Sequence, residues 1–250
     1  MKAVGESSVI GLQMSSSQSA NSNNETQINL ASGSTIDADS TDNKNTSVGL
    51  FINYGQVNTD NGSNIKVEQM TTNSPNKSSV GIFAVNGSEV FSKGNTTVGG
   101  DNSIGILGLS YRTDKTGTLV INEFGGKTGE GTVNVENTGK VSLDGKNAVG
   151  IYVQNNDTKN TTAVHSVKAT NKSGGTVELT GNKSIGMEAI DADKITNEGT
   201  INVKGDGGVG MFAELTEDTS ASPVTSKTST KSTTITNAST GTINVDDKTT

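Results

Sequence analysis

The chain has 250 residues with no Cys or Trp, one His, two Pro and 31 Gly, and only 29% of it is hydrophobic and 3% aromatic. An ordinary globular domain carries roughly 45–50% apolar residues with Gly included, so one thick core is excluded; what remains is disorder or a repeat fold in which each unit covers only its neighbours. The formal charge of −7, with Arg112 the only Arg, provides no basic stripe for nucleic acid, and without Cys there are no disulfides or thiolate metal sites.

Periodicity decides for the repeat. A β-branched residue, Gly, then Ile, Leu or Met recurs at Ile10-Gly11-Leu12, Val48-Gly49-Leu50, Val80-Gly81-Ile82, Ile104-Gly105-Ile106, Val149-Gly150-Ile151, Ile185-Gly186-Met187 and Val209-Gly210-Met211. The Gly-to-Gly spacings are 38, 32, 24, 45, 36 and 24. The repeated minimum of 24 reads as a bare coil, and the longer spacings as coils with inserts. Seven residues before an anchor Gly stand Val4, Val98, Leu143, Leu179 and Val203. Upstream lies Gly-Thr-Val/Ile-x-Val/Leu, at Gly131–Val135, Gly175–Leu179, Gly199–Val203 and Gly241–Val245, each alternating apolar and polar as a strand with one buried face does. Asn137, Asn171, Asn197 and Asn237 stand shortly before the Gly of a turn. Both residues accept left-handed backbone, and stacked coils would bring these amides into register as a ladder.

The stretch 184–212 contains one coil without inserts and predicts strands at 184–190, 194–197 and 200–203. β-Branched residues and Thr dominate, and no apolar spacing of three and four supports a helix. The expected fold is therefore all-β: a single-stranded, right-handed parallel β-helix, a three-sided solenoid of about seven to eight coils over residues 1–250. Polar insert loops are expected near 13–27, 69–78, 110–131, 154–174 and 214–240, forming one ragged edge. The sequence starts inside a coil and stops two residues short of the next anchor Gly, so it is expected to be a fragment of a longer rod. No window approaches the roughly 18 apolar residues of a membrane-spanning helix, and Met1–Glu6 has no apolar h-region.

Ser47-Val48-Gly49-Leu50-Phe51, Ser79-Val80-Gly81-Ile82-Phe83 and Ala148-Val149-Gly150-Ile151-Tyr152, alternating with Asn-x-Gly-Thr-Ile-Asn-Val, resemble the passenger region of the large fusobacterial type V autotransporter adhesins. The resemblance covers nearly the whole chain, and its motifs are structural. It implies secretion through an outer-membrane β-barrel, which this segment does not contain. It also implies display on the bacterial cell surface as part of a longer outer-membrane-anchored protein, with host-cell or bacterial surface proteins or glycans as partners. No nucleic acid and no direct membrane insertion by this segment are expected.

Alternation in the anchor strand places Val48, Leu50 and Ile52 on one face and Gly49 and Phe51 on the other. Phe51, Phe83, Tyr152 and Phe212 then form an outward column over the glycines, either a contact stripe or a cover for bare Gly positions. Asp101, Asp144 and Asp206 come one per coil, with Asn182 at the matching place, too few oxygens for Ca²⁺. His165 has no catalytic constellation beside it, and the numerous Asn-x-Ser/Thr sequons fit chance in so Asn-rich a chain. No catalytic, metal or cofactor residues are assigned, and no cofactor is expected. The leading expectation is a non-catalytic β-helical stalk or interaction segment. The alternatives are a phage tail-fibre or tailspike segment, or a polysaccharide-degrading β-helix enzyme, which needs clustered carboxylates or cations in a cleft.

Overall fold

The computed structural model describes residues 1–5, 8–15, 26–40, 46–69, 78–110, 112–113, 119–120, 132–155, 166–216 and 232–246. All regular secondary structure among them is β-strand; the strands fall into three parallel sheets, apart from an antiparallel pair, Arg112–Thr113 with Leu119–Val120. The anchor sheet contains the seven Gly-anchor strands: Val9–Ser15, Ser47–Asn53, Val80–Val85, Ile104–Ser110, Val149–Asn155, Ile185–Ile190 and Val209–Glu214. The asparagine sheet contains Thr26–Leu30, Gly55–Thr59, Ser88–Ser92, Val133–Asn137, Val167–Asn171, Lys194–Asn197 and Thr234–Asn237. The valine sheet contains Lys2–Gly5, Thr35–Ser40, Asn64–Gln69, Asn95–Val98, Lys140–Leu143, Thr176–Leu179, Thr200–Val203 and Thr242–Val245.

The chain visits anchor, asparagine and valine sheets in turn, and every sheet stacks its strands in chain order. This is the expected three-sided parallel β-helix. Eight strands at ~4.8 Å spacing span roughly 34 Å. The strands of the insert-free coil, Ile185–Ile190, Lys194–Asn197 and Thr200–Val203, match the sequence expectation to within a residue.

The interior is a set of columns rather than a cluster. Leu50, Ile82, Ile106, Ile151 and Met187 stack from the anchor sheet, each wholly buried. Val57, Val90, Val135, Ala169 and Ile195 face them from the asparagine sheet, and Ile65, Val141, Val177 and Ile201 from the valine sheet. Each such side chain contributes about 1.5–3 kcal/mol by leaving water, and neighbouring coils make that burial possible. At the C-terminal end of the stack, where the last strands have a neighbour on one side only, inward positions open: Ile235 is 46% and Val245 45% exposed.

Three sequence expectations need correction. Val133–Asn137 belongs to the asparagine sheet, not to the sheet of Thr176–Leu179, and Lys140–Leu143 holds the place assigned to it. The phrase Gly-Thr-Val-Asn-Val alternates correctly for either sheet, so it does not distinguish them. The expected 154–174 and 214–240 inserts include strands Val167–Asn171 and Thr234–Asn237 and are correspondingly shorter. Inserts leave from two corners, not one. Those after Val9–Ser15, Ile104–Ser110, Val149–Asn155 and Val209–Glu214 precede the asparagine sheet, whereas those after Thr35–Ser40 and Asn64–Gln69 precede the anchor sheet. The central parts of these inserts, and His165, lie outside the described residues.

The amide ladder forms. Asn137 Nδ2 donates to Asn171 Oδ1 at 2.9 Å, Asn171 to Asn197 at 2.9 Å, and Asn197 to Asn237 at 2.8 Å. Asn137, Asn171 and Asn197 are fully buried. On the outer valine face Glu178 accepts from Lys140 at 2.7 Å and Lys204 at 2.5 Å, so three coils are tied by charge; the two lysines hold its carboxyl down to about 2.

The ladder runs in one direction and begins with a defect. Asn137 Oδ1 and the in-register Ser92 Oγ are both buried without a partner. Ser92-Lys93-Gly94 otherwise repeats the turn of Asn137-Thr138-Gly139 and Asn197-Glu198-Gly199. Ser92→Asn is expected to extend the ladder by one amide. Satisfying a buried acceptor is worth ~1 kcal/mol, or roughly 2–4 °C in thermal midpoint for a chain of this size. Thermal unfolding followed by circular dichroism checks this; an unchanged or lowered midpoint contradicts it.

Candidate functional site

The seven anchor strands hold the outward residues that the sequence singled out. Phe51, Phe83, Tyr152 and Phe212 lie in one column, two residues after their anchor glycines, and they face away from the interior that Leu50 and Ile52 fill. The column in full reads Gln13, Phe51, Phe83, Leu107, Tyr152, Glu188, Phe212. Selection by aromatic type therefore missed Leu107 and Glu188. Counting two residues on from Gly105 and Gly186 would have found both.

The surroundings of the column differ from expectation. The glycines do not lie beneath the rings: they face inward. A Cβ on Gly49 would come 2.5 Å from Ile65 Cγ2 and 2.7 Å from the Gly81 carbonyl oxygen. Leu50 also points inward, so two consecutive residues face the core and the period of two is broken at the bend. Val48, expected inside, is turned out instead. The column beside the aromatics is thus Ile10, Val48, Val80, Ile104, Val149, Ile185 and Val209.

Together these columns make a second hydrophobic cluster on the outside of the sheet. Val48, Val80 and Leu107 are buried in it, and Phe51, Phe83, Ile104, Leu109 and Tyr152 are packed around them. The Phe51 and Phe83 rings meet edge to face with centroids 5.3 Å apart. Rings and aliphatics cover one another, which leaves Phe212, near the C-terminal end, the most open of the four aromatics at 38% exposure.

The ridge is apolar at one end and acidic at the other. Glu188 is half-buried between Tyr152 and Phe212. Burial pushes its carboxyl above the usual range, and the Glu214 charge adds to this. Burial, with Glu188, Asp191 and Glu214 nearby, pushes the Tyr152 phenol up to about 12, so it stays neutral and donates to Gln154 Oε1 at 2.8 Å. Asp191 is occupied as a turn acceptor: Thr216 donates to it through its N–H at 2.9 Å and through its hydroxyl.

Asp101, Asp144 and Asn182 act as turn acceptors between coils. Asp101 accepts the Lys146 N–H at 2.8 Å, Asp144 the Gly100 N–H at 3.3 Å, and Asn182 the N–H of Asp206 at 3.2 Å. Among the described residues no group of three or more His, Cys, Asp or Glu is placed to hold a metal ion. No family model, curated protein or solved structure matches the chain.

A half-buried carboxylate in an apolar column weakens the fold when ionised. With its folded pKa raised, Glu188 favours the folded state at acid pH, and that contribution is lost as pH rises above the ordinary 4.5 through the folded value. Glu188→Leu is expected to raise the thermal midpoint at pH 7 by more than at pH 4. Melting curves at the two pH values check this; an equal change at both, or a loss at pH 7, contradicts it.

Proposed function

We propose that this chain is a non-catalytic β-helical stalk and interaction segment of a surface-displayed autotransporter adhesin, supporting attachment to host cells or other bacteria. The observation that carries the reading is the outer ridge of the anchor sheet. Val48, Val80, Ile104, Phe51, Phe83, Leu107 and Tyr152 form a second apolar cluster that is separate from the interior columns. A solenoid closes its interior without such a ridge, and aromatic side chains on a rigid surface make good contact anchors. The other support is the resemblance of the Ser/Ala-Val-Gly-Ile/Leu-Phe/Tyr and Asn-x-Gly-Thr-Ile-Asn-Val phrases to autotransporter passengers. The acids at the coil corners are engaged in binding main-chain N–H groups of adjoining coils, which fits a scaffold better than a catalytic cleft.

The test is display of the full-length protein on a bacterial surface, scored for adhesion to host cells and to other bacteria. Three forms are compared: intact, lacking residues 1–250, and carrying Phe83→Asp with Tyr152→Asp. Both altered forms are expected to reach the surface and to adhere several-fold less. The purified double variant should keep its β-sheet circular dichroism. Full adhesion by both altered forms would overturn the reading, as would release of sugar products from a polysaccharide panel by the purified chain.

A further inference from the structure

The corner between the asparagine and valine sheets is built from turns of two lengths. Leu30 to Thr35, Thr59 to Asn64, Asn171 to Thr176 and Asn237 to Thr242 are joined by four residues, whereas Ser92 to Asn95, Asn137 to Lys140 and Asn197 to Thr200 are joined by two. The long turns at 31–34, 60–63 and 172–175 carry Gly33, Gly62 and Gly174 in third place, with φ of 81°, 87° and 88°. That left-handed step suits glycine and lets the turn swing outward before rejoining the coil. Two short turns in succession, Lys93-Gly94 and Thr138-Gly139, are bracketed by two long ones. The corner is therefore cut back for two coils, between walls three coil steps or ~14 Å apart.

The cut is an open notch with a volume of about 430 Å³. Asn61 and Gly174 come from its walls; Lys93, Thr138, Gly139 and Lys140 come from its floor, with Asn95 and Thr176 beside them. A volume of this order accommodates a small ligand. Its floor is rigid: a Cβ on Gly139 would collide with the main chain of Lys93 and Gly94, so the two short turns are in direct contact. The Thr138 and Gly139 N–H groups are tied to the Ser92 carbonyl oxygen, at 2.7 and 3.1 Å.

The lining chemistry is narrow. Amides, hydroxyls, glycine main chain and two ammonium groups are present, and neither a carboxylate nor an aromatic or aliphatic residue is among them. In a chain of net charge −7 the cation that this notch offers is Lys93. Lys140 is engaged by Glu178 at 2.7 Å, while Lys93 is exposed and makes no ion pair among the described residues. A peptide side chain or lipid tail would find no apolar surface here. A pyranose unit with an acidic substituent meets hydroxyl and amide partners for its ring oxygens and a cation for its charge.

We propose that the notch over Lys93-Gly94 and Thr138-Gly139 is a binding site for a short acidic saccharide, about a disaccharide, bearing a carboxylate or a sulfate. The site is separate from the aromatic ridge, and its test is read on the purified chain, so it stands or falls independently of surface display. The purified 250-residue chain is titrated by calorimetry, and in parallel by amide chemical shifts. The probes are a hyaluronan disaccharide, a chondroitin sulfate disaccharide, neutral N-acetyllactosamine and inorganic sulfate. Saturable binding is expected for at least one acidic disaccharide, weakening as salt is raised, with the two acidic probes separating carboxylate from sulfate recognition. Lys93→Glu should weaken it at least tenfold. Thr138→Trp, which fills the notch from an exposed position, should abolish it at an unchanged thermal midpoint. Equal binding of the neutral disaccharide, equal binding of inorganic sulfate alone, or binding indifferent to both variants would each overturn the proposal.

Discussion

The fold depends on how closely the anchor sheet approaches the valine sheet at the start of each anchor strand. A methyl of the valine-sheet strand that follows, from Ile36, Ile65, Thr96, Val141, Val177, Ile201 or Ile243, occupies the place where a Cβ on the anchor glycine would stand. In all coils but the last, the carbonyl oxygen of the next anchor glycine closes the same space from the neighbouring coil. No larger residue fits without moving main chain. Because both clashing groups recur in every coil but the last, where the Ile243 methyl acts alone, the glycine column fixes at once the tightness of the corner and the stacking register.

Two consequences follow from that corner. With glycine and its successor both facing inward, the preceding Val or Ile is turned out, and the outer ridge of the anchor sheet exists for this reason. The columns also carry stability coil by coil, as in other solenoids. Interior aliphatics, the buried Asn ladder and the Lys140–Glu178–Lys204 bridge each join a coil only to its neighbours. Chain inserted at the corners leaves these contacts in place. Val141 pairs with Thr96 across a long insert as regularly as Ile201 pairs with Val177 across none.

Much of this was legible in the sequence because the signals repeat. Gly186 and Gly210 delimit an insert-free coil whose strands and turns read directly. The Asn ladder was legible because each of its Asn residues stands two to four residues before a turn glycine. What misled was local ambiguity: the phrases at Gly131–Val135 and Gly175–Leu179 carry the same alternation, but Val133–Val135 and Thr176–Leu179 lie in different sheets. Strict alternation also put Val48 inside, because a period of two does not allow for a bend at a residue without Cβ. The outward direction of Phe51, Phe83, Tyr152 and Phe212 was legible, but their neighbours were not. The notch was hidden altogether, since its signal is the absence of two residues from the turns at Lys93 and Thr138 relative to those at 60–63 and 172–175.

The most direct measurement of a register-locked solenoid is a pair of distances between spin labels. The chain has no Cys, so introduced cysteines are the only attachment points. Lys66, Asn202 and Asn244 lie in one outward-facing column of the valine sheet, with Thr97, Ser142 and Glu178 between the first two. Labels at 66 and 202 are four coil steps apart, ~19 Å, and labels at 66 and 244 five, ~24 Å. The stacked coil predicts two narrow distributions whose centres differ by one coil step, roughly 5 Å, although Asn202 and Asn244 stand 42 residues apart in the chain. A difference that grows with the intervening chain, or a broad distribution for either pair, would contradict it.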